Sequence, residues 1–320
     1  MNPTPSSAVP PAAHPRLDAL VARARERAKQ ATPALGLVFP CDALALLAAS
    51  RILREGIARP VLIGPQEAIA RAADTAGIAL RDFELVATAD TAPEAARRAT
   101  ALARDGTLQA LMKGSLHTDE LMSAVVHKTE GLRGSSRISH AFVFDLPRYN
   151  KLIALADCVV NIAPDLKTKR DIVGNAVRLL QRIGIASPLV GIVAAVESVN
   201  PAIPATVDAQ GLVQAASEGA WPGAIVEGPF GFDNAFSAEA ARIKGITSRV
   251  AGHADLLIMP DLNAGNMLYK SFVYVGGGDC AGLVLGARVP IVLTSRADSQ
   301  QARLASVALA VLAAGDDKAG

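Results

Sequence analysis

The chain has 320 residues, 51% of them hydrophobic, and its 32 basic and 30 acidic side chains leave a formal charge of +2. High hydrophobicity with little net charge excludes a disordered polymer, and the missing basic excess excludes a dedicated nucleic-acid binder. Mean hydropathy is positive, +0.30, but every apolar run stops short of the roughly 20 residues that cross a bilayer, so a soluble protein of two domains or one large one is expected.

In chain order, residues 1–15 are rich in Pro, Ser and Ala, with no basic stretch leading into an apolar one. They read as a disordered lead rather than a secretory signal. Short continuous apolar runs then recur at 35–39, 60–64, 83–87, 110–114, 141–145, 158–162, 189–195, 224–228, 256–260, 282–286 and 291–294. Continuous rather than alternating, they predict strands buried on both faces of a mostly parallel sheet. Helix formers lie between them at 17–29, 43–55, 66–76, 92–104, 165–183 and 299–314, and this alternation predicts an α/β fold. Aromatic residues make up only 4% of the chain, so Ala, Val, Leu and Ile are expected to build the core. Eleven strands exceed an ordinary open sheet, which favours two lobes, with boundaries at 131–140 and 286–290. Cys41, Cys158 and Cys280 are far apart and form no CxxC pair. They read as buried free thiols in a reducing cytoplasm.

Ligands of open α/β sheets bind beyond the carboxyl ends of strands, so residues that follow the apolar runs are the candidates for chemistry. After 290–293 come Thr294, Ser295, Arg296 and Asp298. Ser295 occupies an N-cap position and Asp298 completes a capping-box pattern. The free N–H groups of a helix start, with the Arg296 guanidinium, would make an anion site; the alternative is a plain cap with a solvated arginine. Segment 261–270, with Asp261, Asn263, Asn266, Tyr269 and Lys270, carries more polar and glycine positions than a plain connection needs. Lys113 ends its run beside Gly114 and Ser115, and reads equally as a cleft residue or a snorkelling surface lysine. Ser139 and His140 precede the run at 141–145. The stretch 276–281 fits G-x-G-x-x-A, but it leads into a strand rather than a helix and is rejected as a dinucleotide fingerprint. No P-loop, nucleophile elbow or metal-ligand spacing occurs, and His14, His117, His127, His140 and His253 are scattered, so no metal is expected.

At these residues the chain resembles the phosphate acetyltransferase and phosphate butyryltransferase family. The matching elements are Leu111-Met112-Lys113-Gly114, the stretch from Gly131-Leu132-Arg133 to Ser139-His140, Pro260-Asp261-Leu262-Asn263-Ala264-Gly265-Asn266 with Tyr269-Lys270, and Pro290-Ile291-Val292-Leu293-Thr294-Ser295-Arg296. They run in family order from about residue 16 to the C-terminus, and the ordered set is more specific than any single motif. The resemblance implies reversible transfer of a short acyl group, acetyl first, between CoA and inorganic phosphate. It implies no metal, no cofactor and no covalent acyl-enzyme, CoA and acyl-CoA being substrates. It also implies a cytoplasmic homodimer of two α/β domains about a cleft, with a fold like the isocitrate and isopropylmalate dehydrogenases. Domain one would be 16–140 plus 288–320, and domain two 141–287.

The same resemblance gives residues their roles. Ser295, Arg296 and Asp298 are catalytic: Arg296 binds phosphate or acyl phosphate, and Ser295 hydrogen-bonds the departing sulfur or the phosphate. Lys113, Gly114, Ser139, Asp261, Asn263, Asn266, Lys270 and Thr294, with Arg133 and Arg137, bind phosphate and CoA. Two departures stand out. Ala302 occupies the position six residues beyond the arginine where acetyltransferases carry a carboxylate base; Asp298, four residues earlier and so on the same helical face, is expected to substitute. Ser123 stands where relatives usually carry an arginine that meets CoA phosphates, and Arg133 or Arg137 is expected to compensate. The final stretch looks more like the butyryltransferase branch, which makes a butyryltransferase the alternative. A rival of another class is a non-catalytic acetyl-CoA-sensing domain. The changes at 302 and 123 favour it, whereas Ser295, Arg296 and Asn266 oppose it.

Overall fold

The computed structural model describes residues 13–295 and 298–314. Most of the expected lead lies outside the described residues, and helix α1 (Pro15–Gln30) begins where it ends, with proline at its first position, where no amide hydrogen is needed. The first half continues as β1 (Ala34–Val38), α2 (Ala43–Glu55), β2 (Arg59–Gly64), α3 (Gln66–Ala76), β3 (Glu84–Ala87), α4 (Ala92–Arg104), β4 (Ala110–Lys113) and α5 (Thr118–Val125). The second half follows as β5 (Ser139–Asp145), β6 (Ile153–Ala156), α6 (Leu166–Arg182), β7 (Leu189–Val193), α7 (Pro204–Ser217), β8 (Ile225–Phe230), α8 (Phe232–Phe236), α9 (Ala238–Ile243), β9 (Leu256–Ile258) and α10 (Leu262–Tyr274). The chain closes with β10 (Asp279–Leu285), β11 (Ile291–Val292) and α11 (Gln300–Ala313).

Among the described residues, all eleven strands join one hydrogen-bonded sheet in the order β3-β2-β1-β4-β11-β10-β5-β6-β9-β7-β8. Eleven strands are therefore not too many for one sheet here. The five strands from β3 to β11 are mutually parallel, as are β6, β9, β7 and β8, while β10 and β5 form an antiparallel pair between the two sets. The ladder is thinnest at β10 and β11, which share the single pair Val284↔Ile291. Across this seam lies α11, whose residues from Ala302 to Leu312 are all buried. A helix that is apolar all round belongs in a core, and α11 packs on α1, α2 and β10.

Both sheet faces are covered. On one, Leu35 and Leu37 of β1, Val143 of β5 and Leu283 of β10 meet α1, α2, α6 and α11. On the other, Val38 and Leu111 meet α4 and α5, while Phe144 and Leu155 meet α8, α9 and α10. Aliphatic residues build most of this core, as expected, but the few aromatics gather beneath α10, where Phe142, Phe144, Phe232, Phe236, Phe272 and Tyr269 stack in sequence. No helix among the described residues is long and apolar enough to cross a membrane.

Three local expectations are corrected. The run at 158–162 is a turn, and the strand lies just upstream at β6. The Asp157 carboxylate captures the N–H groups of Val159 (2.8 Å) and Val160 (2.9 Å), so neither is available to a neighbouring strand. The polar segment 261–270 is not a loop but the greater part of α10. Its Asn and Gly content argues against helix, but Asp261 caps it by accepting from the Ala264 amide (3.0 Å). Finally, the last helix is capped by Ser299, whose Oγ accepts from Ala302 N at 2.8 Å, and not by Ser295. Asp298 therefore precedes the helix and shares no helical face with Ala302.

Candidate active site at the sheet seam

Three chain segments meet at one end of the seam. β11 pairs with β4 through Val292↔Met112, which sets Leu293 and Thr294 beside Lys113. β10 runs the other way, so its first residue, Asp279, lies beyond the end of β11. Asp279 Oδ2 accepts from the Ser299 hydroxyl at 2.9 Å, which ties the start of β10 to the start of α11.

Thr294 and Ser295 follow β11, and Asp298 and Ser299 precede α11. Asp298 Oδ2 accepts from Ser295 N at 2.6 Å, and Asp298 N donates to Ser295 O at 3.2 Å. From the first turn of α11, buried Arg303 reaches back to donate to Ser295 O (2.6 Å) and to Thr294 Oγ1 (3.3 Å). Thr294 is itself buried. Arg303 so holds the Ser295 backbone and the Thr294 hydroxyl. Arg296 lies outside the described residues.

Asp298 is half-buried, and burial holds its carboxyl above the ordinary carboxylate range. The Ser295 amide and Arg303 oppose that shift, Asp279 reinforces it, and Lys113 opposes it. A carboxylate raised in this way, with cationic groups beside it, is suited to accept a proton from a weak acid while an anion is held nearby. Tyr269 faces the same centre. Its ring stacks on Phe142 at 4.5 Å, and burial, then the Asp298 charge, raises its hydroxyl and keeps it a hydrogen-bond donor.

The remaining predicted residues divide between this centre and other places. Lys113 is half-buried, with its Nζ 3.4 Å from Gly114 O. Gly114 is required by packing: a Cβ there would lie 2.5 Å from Val38 O and 2.7 Å from Phe39 O. On α10, Asn266 donates to Cys158 O (3.2 Å), Asn263 and Lys270 are exposed, and Asp261 is committed to its cap. Gly265 lets this helix approach the Asp157 loop, since a Cβ would meet Asp157 O at 2.4 Å. Ser139 is buried, and its hydroxyl accepts from Asn175 of α6 at 2.9 Å, away from the centre. Arg133 donates to Val126 O and bridges to Ala287. Arg137 is held through its backbone by Asp171 and Asn175.

Sequence reasoning missed Asp279 and Arg303. Asp279 sat in a glycine-rich stretch examined only for a nucleotide fingerprint, and Arg303 sat inside an apolar helix pattern. An arginine among buried alanines and leucines was the available signal, because a buried charge requires partners.

Residues 90–311 match the family described as phosphate acetyl/butaryl transferase. A phosphate acetyltransferase of Rhizobium meliloti is 48% identical over 303 residues, 94% of each chain. A phosphate butyryltransferase of Clostridium acetobutylicum is 39% identical over 263 residues, 82% of this chain and 87% of that protein. Among solved structures, a branched-chain phosphotransacylase from Enterococcus faecalis superposes with TM-score 0.78 at 28% identity, covering 88% of this chain and 99% of its own. A 4-hydroxythreonine-4-phosphate dehydrogenase structure from Salmonella typhimurium (TM-score 0.55, 14% identity, 88% and 99% covered) has the same dehydrogenase-like fold.

Proposed function

The chain belongs to the phosphate acetyl/butaryl transferase family, and from that premise we propose that it moves an acetyl group reversibly between CoA and inorganic phosphate at the seam. It is an acyltransferase. Acetyl is preferred to butyryl because the phosphate acetyltransferase relative is the more similar, at 48% identity against 39%.

In the direction of CoA acylation, Asp298 takes the thiol proton as the sulfur attacks the acyl carbon. The carbon–oxygen bond to phosphate then breaks, and the phosphate leaves with its electron pair. Ser295, Arg296 and Lys113 receive that anion, while Asn266, Lys270 and Tyr269 on α10 orient the thioester. The contact of Asp298 with Ser295 N, with Arg303 holding the Ser295 carbonyl beside the β4 end at Lys113, is the observation that carries this reading. Neither a metal, a cofactor nor an acyl-enzyme is required, since a positioned base and an anion site supply the two needs of the step. The thin pairing between β10 and β11 supports a division into 16–140 plus 288–320 and 141–287, with the site between. The enzyme works in the cytoplasm as a homodimer.

Arg296→Ala tests the anion role. The KM for phosphate should rise at least tenfold while CoA affinity stays the same; unchanged phosphate dependence would remove Arg296 from the site.

A further inference from the structure

An aromatic wall stands between β10 and α10. Phe142 of β5 is the direct cross-strand partner of Gly282 of β10, and its ring stacks on Tyr269 of α10 with centroids 4.5 Å apart and planes inclined by 23°. Both rings are only half-buried, so each keeps an edge open. Phe142 has no room to retreat. The buried rings of His140 and Phe144 lie 4.4 Å and 5.8 Å from it, and a Cβ on Gly282 would sit 2.7 Å from its ring. The missing side chain at Gly282 is what lets the ring come this close to the sheet.

The wall lies next to the reaction centre. Asp279 is tied to Ser299, the neighbour of Asp298, and Gly282 follows Asp279 three residues later on the same strand, about 10 Å away at ~3.4 Å per residue. Cys280 lies between them and on the face of Gly282, because side chains alternate along a strand. It belongs to the cluster against which Phe142 and Tyr269 pack. Burial pushes its thiol up, so it stays a neutral, apolar group. The Asp298 charge reaches the Tyr269 hydroxyl, which sets the open edge of the stack on the same side as the proton acceptor.

A thioester reacting at Asp298 therefore meets two unlike surroundings. Lys113, Ser295 and Arg303 are polar or charged, whereas Cys280, Phe142 and the Tyr269 ring are apolar. An alkyl chain belongs on the apolar side. We propose that Phe142, pinned between Gly282 and Tyr269, is the specificity-determining residue that limits the acyl chain, closing the apolar end of the site beyond an acetyl group. The assignment rests on the acyl-transfer reading for the identity of the ligand. Each methylene that an apolar pocket accepts or rejects changes kcat/KM by roughly 10–200-fold, and butyryl carries two more than acetyl.

Steady-state kinetics of the full chain with acetyl-, propionyl- and butyryl-CoA at saturating phosphate test this. The readout is the butyryl-to-acetyl ratio of kcat/KM within each variant, which a loss of folded protein leaves unmoved because both substrates suffer equally. Phe142→Ala should raise that ratio at least tenfold, and the milder Phe142→Leu should raise it by a smaller factor. Gly282→Ala should act in the opposite sense, since its methyl group drives the Phe142 ring off the sheet and into the site; the propionyl-to-acetyl ratio should fall at least threefold. Ratios unchanged in both Phe142 variants, or a wild type that uses butyryl-CoA as well as acetyl-CoA, would overturn the assignment and leave acyl transfer standing. A wild type that turns over none of the three thioesters would defeat the transfer reading, and the assignment with it.

Discussion

Replacing Asp298 with asparagine separates chemistry from architecture. The amide keeps an oxygen where Asp298 Oδ2 accepts from Ser295 N at 2.6 Å, so the Ser295–Asp298 contact can persist with a neutral bond in place of a charge-assisted one, a loss of about 1 kcal/mol. Burial is the main cause of the raised carboxyl, and a neutral side chain escapes that penalty, which offsets part of the loss. The net change in stability should stay within about 1 kcal/mol, or roughly 2 °C in melting temperature for a chain of this size. The loss of a general base, by contrast, lowers the rate about 10²–10⁴-fold. Stopped-flow or coupled assay of CoA acylation should therefore show kcat down by at least a hundredfold at nearly unchanged stability. In the wild type the rate should rise with pH through the raised Asp298 ionisation, because only the carboxylate accepts the proton; that limb should vanish in Asp298→Asn. A variant with normal turnover, or one that loses activity only in proportion to lost stability, would make Asp298 a turn-forming residue.

Further outcomes follow from the same geometry. Burial lowers His140 to about 4, with the Asp157 charge opposing the shift. The unfolded chain therefore binds a proton that the native state refuses between pH 6.5 and about 4, so stability falls with pH across that window, by about 3 kcal/mol at pH 4. Urea titrations of wild type and His140→Gln should show the steeper fall only in the wild type; parallel curves would contradict it. Ser299→Ala removes the cap on Ala302 N and the partner of Asp279, and should cost about 1 kcal/mol in chemical denaturation; no measurable loss would place the cap elsewhere. Gly265→Ala puts a Cβ 2.4 Å from Asp157 O. It should destabilise by roughly 1–3 kcal/mol and lower activity by displacing α10, so a stable, fully active variant would show that α10 need not sit against that loop.

The strands and the earlier helices were legible because their signals are local: β1, β2, β4, α2, α3 and α4 follow from apolar runs and helix formers lying where the structure has them. Misreadings arose where a side chain overrode propensity. Val159 and Val160 favour a strand, but the Asp157 carboxylate holds their amides in a turn. α10 is weak as an isolated helix, yet the Asp261 cap and its close fit through Gly265 hold it. Ser295 reads as the cap of the last helix, but Arg303 holds its carbonyl and the helix starts four residues later at Ser299. Lys113 and Asp298 of the candidate site could be named from sequence, because they follow buried strands. Asp279 could not, because β10 reaches the same place only through the antiparallel pairing at the seam.

Acyl transfer between CoA and phosphate is tested most directly by following phosphate-dependent release of CoA from acetyl-, propionyl- and butyryl-CoA under identical conditions. Turnover is expected, with kcat/KM highest for acetyl-CoA and acyl phosphate formed in equal amount to CoA. Binding of CoA without turnover of any of the three thioesters would contradict it and point to a sensing domain instead.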